Sequence, residues 1–132
     1  MKKIRQNSKK GFTLVELIVV LVILAVMAAM LVPALTGYID EARKKKDYNA
    51  ASEVLTAAQS AVARYYGDTA SPTPAGAKTY IESGDGADMV DDLTGIDSTL
   101  TNVTVSDTFV ITNITVELPG GNTYTWNGTT WS

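Results

Sequence analysis

The sequence predicts an α+β protein, in which a long N-terminal helix with a membrane-spanning first half packs against a small antiparallel β-sheet. Three observations lead to this fold class: an uninterrupted apolar run, a helical repeat of apolar residues after it, and a C-terminal part rich in Thr and Val. Of the 132 residues, about a third precede or form the apolar helix. The remainder is enough for one small head domain.

The apolar run has the length of a membrane span. Every residue from 17 to 32 is apolar, and the apolar character extends back to Phe12 except at Thr13 and Glu16. A helix of this length crosses a bilayer core of about 30 Å. We therefore expect residues 12–35 to form the membrane-spanning half of the long helix.

A second, amphipathic half of the helix is expected over residues 36–66. This stretch lacks proline and is rich in Ala, Glu, Lys and Arg, which favour helix. One face of it carries apolar residues at helical spacing, namely Val54, Leu55, Ala58, Ala61, Val62 and Tyr65. We interpret this stripe as the surface on which the head domain packs.

Pro33 interrupts the pattern near the outer end of the apolar segment. A proline inside a helix removes one backbone hydrogen bond and clashes one turn back. The sequence therefore predicts a kink or local melting at Pro33.

The remaining residues, 67–132, form the predicted loop and β head. Residues 67–77 contain two prolines and two glycines among small residues and predict a loop. A short helix is expected around residues 87–93.

An antiparallel sheet of three or four strands is then predicted from stretches rich in Thr, Val and Ile. The last two flank Asn127-Gly128, a strong signal for a two-residue hairpin turn, which would place Tyr124 opposite Trp131 with Trp126 on the same side. This aromatic cluster either caps the core of the sheet or forms an exposed surface for binding or for subunit contact. The predicted strands cover residues 100–105, 108–118, 123–126 and 129–132.

The N-terminal string Gly11-Phe12-Thr13-Leu14-Val15-Glu16-Leu17, after a short basic segment, resembles the signature of type IV pilins and pseudopilins. The resemblance extends through Pro33. It implies that a prepilin peptidase removes residues 1–11 by cutting between Gly11 and Phe12 and methylates the new N-terminus at Phe12. The resemblance also implies that a proline at the place of Pro33 lets the helix loosen during filament packing. The alternative is a tolerated membrane-helix proline without function.

Glu16 needs an explanation, because a charge in the bilayer centre costs roughly 2.5–3.5 kcal/mol. The family resemblance implies that Glu16 pairs with the amine of Phe12 on a neighbouring subunit, which would fix the register of packed helices. Opposite charges attract strongly in poorly screened apolar surroundings. The alternative is an interfacial glutamate that is merely tolerated.

Two other interpretations of the N-terminus stay open. An ordinary secretory signal has a shorter apolar core followed by a small-residue site, which Val26-Met27-Ala28 matches weakly. Removal there would discard Glu16. The other interpretation is an uncleaved signal anchor that holds an extracellular domain.

Charge favours a leader on the cytoplasmic side, although by a small margin. The leader has five basic residues, and four more follow the apolar segment as Arg43, Lys44, Lys45 and Lys46. Together with the family resemblance, this favours a single-pass precursor in the cytoplasmic membrane with the leader inside, and the resemblance implies a later extracellular or cell-surface filament. The chain has a net charge of −3, so removing the five leader charges leaves side chains at −8, unlike a nucleic-acid binder.

Candidate chemistry is sparse. The chain has no histidine and no cysteine, which removes the commonest general base and thiolate chemistry, and we expect neither enzymatic activity nor a cofactor. Some pseudopilins bind calcium in head loops, but EF-hand spacing is absent here, and an acidic solvated loop with helix-capping aspartates is the alternative. The weak metal candidates are Asp85, Asp88, Asp91 and Asp92.

The sequence thus predicts a structural subunit of a type IV pilus or pseudopilus, serving adhesion, motility, DNA uptake or secretion. The implied partners are copies of itself, a prepilin peptidase, a membrane assembly platform with a motor ATPase, and lipid before assembly. Nucleic acid is a partner only if the filament takes up DNA. The alternatives are a monomeric membrane-anchored binding module that uses Tyr124, Trp126 and Trp131, and a minor pseudopilin of a secretion or competence system.

Overall fold

The computed structural model describes Gly11 and residues 13–132. Predictions about Phe12 and about residues 1–10 of the basic leader lie outside the described residues. The chain divides into two compact units, with the boundary between Glu41 and Ala42.

The first helix, α1, spans Leu14–Asp68 and takes part in both units. The predicted helix is confirmed, and it continues without a break through Pro33. Of the two outcomes predicted at Pro33, local melting is therefore wrong, and the kink stays a prediction. The Thr36 hydroxyl donates a 2.8 Å hydrogen bond to the Pro33 carbonyl, and the surrounding Ala, Leu and Met residues are strong helix formers.

In the second unit, one face of α1 is buried. Its residues recur every three or four positions, as the predicted stripe requires, although Leu55 and Tyr65 are only half-buried. The fully packed members are small, so the backbone of α1 lies close to the head. They are Ala51, Val54, Ala57, Ala58, Ala61 and Val62.

Two short helices follow where the sequence predicted a loop and one helix. The prediction of a loop over 67–77 is wrong at its end, because α2 spans Pro74–Ser83. Thr73 caps it by accepting a 3.0 Å hydrogen bond from the Gly76 amide, and Pro74 occupies the first turn, where its missing N–H costs nothing. The helix α3 spans Asp85–Thr94 and ends at Gly95, which has φ +67°.

Three antiparallel strands complete the head, in the order β1-β2-β3. They are β1 (Thr99–Val105), β2 (Ile111–Glu117) and β3 (Thr123–Trp126). The small sheet, the long helix and the two short helices enclose one apolar core. Its largest fully buried side chains are Ile81, Ile114, Val54, Val62, Val90, Val103 and Val116.

Strand β1 lies at an edge of the sheet and is irregular. Its pairing with β2 shifts between Thr101 and Thr104, and Asn102 has φ +52°. The Val103 amide donates a 3.0 Å hydrogen bond to Glu82 of α2. One amide of the edge strand is thus occupied by a side chain.

The predicted two-residue hairpin at Asn127-Gly128 is wrong in register. Trp126, and not Tyr124, pairs with Trp131, so the connection contains four residues. Asn127 Oδ1 accepts hydrogen bonds from the amides of Thr129 (2.9 Å) and Thr130 (2.8 Å). This side-chain turn stabilises the longer connection.

Gln59 joins α1 to the connection between β1 and β2. Its Nε2 donates to the Phe109 carbonyl, and its Oε1 accepts from the Ile111 amide, both at 2.8 Å. Phe109 has φ +59°, and its ring contacts Tyr66 with 4.8 Å between ring centroids. The amide of Gln59 thus satisfies two part-buried backbone groups and holds Phe109 in an uncommon conformation.

We predict that Gln59→Leu destabilises the head by about 2 kcal/mol, since two backbone groups lose their partner. The measurement is unfolding of the full chain in detergent micelles, followed by tryptophan fluorescence, because both tryptophans lie in the head. Ser60→Ala is the control, because the exposed Ser60 hydroxyl bonds only within its own helix. Equal stability of Gln59→Leu and the unsubstituted chain would contradict a stabilising role.

Candidate functional site at the start of the long helix

Thr13 and Glu16 begin α1 with a reciprocal pair of hydrogen bonds. The Glu16 amide donates to Thr13 Oγ1, and the Thr13 amide donates to Glu16 Oε2, each at 3.2 Å. The Thr13 carbonyl accepts the first helical bond from the Leu17 amide at 3.1 Å. This is a capping box, and the Thr-x-x-Glu spacing that signals it was overlooked in the sequence interpretation.

The capping box determines where the Glu16 charge lies. The side chain folds back along the helix, so the carboxylate sits at the N-terminal edge of α1 beside the Thr13 amide. Negative charge is favourable there because of the helix dipole. A carboxylate offers about four acceptor positions, so the bond from Thr13 leaves capacity for a further donor.

The surface around Glu16 is apolar and open. A groove of about 290 Å³ lies beside it, lined by Val15, Glu16, Val19 and Val20. All residues of α1 from Leu14 to Lys46 are exposed, and Leu14 itself is 74% exposed. By length and composition, α1 is the one described helix that is able to cross a membrane.

Gly11 precedes the helix in an exposed position. A Cβ at Gly11 would meet no described atom within 4 Å, so the packing of the described chain does not require a glycine there. Its predicted role, at the cleaved bond before Phe12, concerns a bond that reaches outside the described residues. The assembly roles of Glu16 and Pro33 also remain predictions.

Residues 6–32 match the family model of the prokaryotic N-terminal methylation motif. The chain carries this prepilin-type motif. The predicted resemblance to pilins and pseudopilins is thereby confirmed for the N-terminal segment, which contains Gly11, Phe12 and Glu16.

One curated relative is the type II secretion system core protein G of Klebsiella michiganensis. It is 45% identical to this chain over 42 residues, which is 32% of this chain and 30% of the relative. The match thus spans about a third of the length of each protein. No solved structure matches the chain with significance.

The predicted aromatic cluster of the head divides into two contacts. Tyr124 lies against Tyr48 of α1, with 5.1 Å between ring centroids, and its hydroxyl donates a 2.6 Å hydrogen bond to Asp47. Trp126 and Trp131 contact each other at 5.6 Å. Tyr124 and both tryptophans pack, half-buried, against the core, an arrangement that favours a structural role over an open binding surface.

The acidic stretch of α3 forms structural contacts at one position. Asp91 Oδ1 accepts hydrogen bonds from the amide (3.1 Å) and hydroxyl (3.2 Å) of Ser98. Asp85, Asp88 and Asp92 are exposed. Among the residues that the structure describes, no group of three or more carboxylates is placed to hold a metal ion.

Thr13→Ala is predicted to loosen the start of α1, because the Glu16 amide loses its acceptor. Loss of an N-cap costs about 1 kcal/mol, which corresponds to about fivefold faster hydrogen exchange if the amide exchanges through opening of this first turn. The measurement is exchange at Glu16 in detergent micelles. Thr13→Ser keeps the hydroxyl and should exchange like the unsubstituted chain. Unchanged exchange in Thr13→Ala would contradict the capping role.

The pairing of Tyr124 with Asp47 predicts a pH dependence. The hydrogen bond to Asp47 chiefly, with burial and the carboxylate charge, raises the pKa of Tyr124 from 10.0 to about 12. The stabilisation is therefore complete below pH 10 and is lost as the pH rises from 10 to 12, because the unfolded chain loses this proton first.

Tyr124→Phe should reduce the stability of the head by about 1 kcal/mol at pH 8. The difference from the unsubstituted chain should shrink as the pH approaches 12. Fluorescence-detected unfolding in micelles at both pH values measures it. Tyr38→Phe is the control, since Tyr38 is 72% exposed. A difference that persists unchanged at high pH would refute the linkage.

Proposed function

We propose that this chain is the precursor of a pilin-like filament subunit. A membrane peptidase cuts it between Gly11 and Phe12 and methylates Phe12, and the mature chain then assembles with copies of itself. The N-terminal methylation motif over residues 6–32 and the similarity to a type II secretion pseudopilin support this proposal. The relative's name refers to secretion, but the shared segment covers only the N-terminal part, so secretion, adhesion, motility and DNA uptake are equally compatible with the proposal.

The observation that carries the proposal is the exposed apolar surface of α1 with an acid at its start. Large side chains such as Leu21 (65% exposed) and Met30 (73% exposed) need an apolar environment. Lipid supplies it to the precursor, in which the backbone of a helix is already satisfied. In the filament, apolar segments of other copies replace the lipid.

Exchange of lipid for helix gives little hydrophobic driving force, because both surroundings are apolar. Packing and the pairing of Glu16 with a neighbouring Phe12 amine therefore set the geometry. Two unit charges 4 Å apart attract by about 4 kcal/mol at an effective dielectric constant of 20. A membrane platform with a motor ATPase supplies the work of extraction in this scheme.

The capping box prepares Glu16 for this pairing. It holds the carboxylate at the N-terminal edge of α1, where an incoming amine approaches, and it leaves acceptor positions unused. A carboxylate that is already ordered loses less side-chain entropy when the partner binds.

Glu16→Gln tests the charge separately from the cap. Glutamine also closes a capping box, so α1 should start normally, whereas the attraction to the amine is lost. We expect normal cleavage, shown by mass spectrometry as a methylated Phe12 terminus, and a loss of sheared filaments in electron micrographs.

Thr13→Ala is the matched control, since it removes part of the cap and keeps the charge. It should assemble much better than Glu16→Gln. Abundant filaments from Glu16→Gln would refute the charge pairing. An unprocessed chain that starts at Met1, or a start near Ala29, would refute the whole proposal and favour a signal anchor or a secretory signal.

A further inference from the structure

The charges of this chain are strongly segregated. From residue 48 to 132 the side chains carry ten carboxylates and two cations, Arg64 and Lys78. Both cations have ion-pair partners within the head, at Asp68 (3.3 Å) and Glu82 (4.0 Å). Residues 48–132 therefore carry a net side-chain charge of −8, which opposes close approach of these parts of two copies.

A basic helix face precedes this acidic head. Arg43 and Lys46 are exposed, and they are three positions apart on α1, so they share one face. Asp40, Asp47 and the exposed Lys44 lie to one side of this pair on the helix. We name Arg43 and Lys46 the basic face.

An acidic face lies on the outside of α3. Asp85, Asp88 and Asp92 follow at spacings of three and four, which places them on one side of the helix, opposite the buried Val90. All three carboxylates are exposed. We name these three residues the acidic face.

We propose that the basic face of one copy docks on the acidic face of a second copy in the filament, an inference that rests on the proposed function. A second copy is the fitting partner because each chain brings one face of each sign. An anionic lipid surface is a poorer partner, because the head beside the basic face would be repelled from it.

The positions of the two faces along α1 fit this docking. The helix α3 lies beside α1 between Glu53, which shares a groove with Leu93, and Arg64, whose Nη1 is 3.9 Å from Met89 Sδ. The basic face lies about 10–20 residues before this level, a distance of about 15–30 Å along the helix.

The proposed Phe12–Glu16 pairing displaces each copy by four residues, or about 6 Å, from its neighbour. The distance between the faces thus corresponds to a copy about three to five steps further along the filament. The docking is therefore a contact between more distant copies, in addition to the contact of immediate neighbours through Glu16.

Charge reversal tests the docking in the full-length chain. Arg43→Glu with Lys46→Glu should reduce the fraction of chain recovered in sheared filaments about fivefold, because like charges then face each other. Adding Asp88→Lys and Asp92→Lys should restore the yield. The loss should also be smaller at 1 M salt, where the screening length falls to about 3 Å.

The matched control adds the same four negative charges at exposed positions outside both faces, as Ala70→Glu, Ser71→Glu, Thr123→Glu and Thr129→Glu, and it should assemble better than the reversed basic face. A second test uses the absence of native cysteines. Lys46→Cys with Asp92→Cys should give disulfide-linked oligomers in oxidised filaments, whereas Lys46→Cys alone should give no ladder.

The outcomes separate this inference from the proposed function. Filaments that are unaffected by reversal of the basic face, or not restored by the exchanged charges, overturn the docking while the filament proposal stands. A different outcome assigns the basic face to lipid and overturns the docking. In that case the reversed chain associates less with vesicles containing anionic lipid, and Asp88→Lys with Asp92→Lys does not restore its filament yield. If the unsubstituted chain forms no filaments and the Lys46→Cys/Asp92→Cys variant gives no cross-links, both the docking and the proposed function are overturned.

Discussion

Between Leu14 and Leu35, α1 carries large apolar side chains that remain exposed in the described chain. Transfer of each such side chain out of water is favourable by about 1.5–3 kcal/mol, so this surface determines which surroundings the protein can occupy. It requires lipid or other helices as surroundings. This requirement explains the roles of the acid at Glu16, of the cap at Thr13 and of the separate head.

The head packs on the second half of the same helix. Small residues on α1, such as Ala51 and Ala58, let the sheet and the short helices approach closely. Hydrogen bonds from Gln59 and to Asp47 then fix the sheet to the helix at two places. With no cysteine in the chain, no disulfide supports the packing of the head on the helix.

Features that depend on local pattern were predictable from the sequence. The apolar repeat of α1 and the Thr- and Val-rich strands follow from periodicity, and Gly11 to Glu16 carry the motif. The start of α2 was missed because Pro74 suggests a loop, whereas after a capping Thr73 it begins a helix. The hairpin register depended on side-chain bonds of Asn127, and Gln59 meets Phe109 across 50 positions, which no local pattern reveals.

The irregular edge of β1 has a consequence for crowded assemblies. Proteins packed side by side at high concentration risk joining their open sheet edges into aggregates. Here the shifted pairing near Asn102 and the bond from the Val103 amide to Glu82 leave no regular row of donors and acceptors at that edge. The edge at β1 is thereby a poor template for pairing with the sheet of another molecule, which lowers the risk of aggregation through this strand.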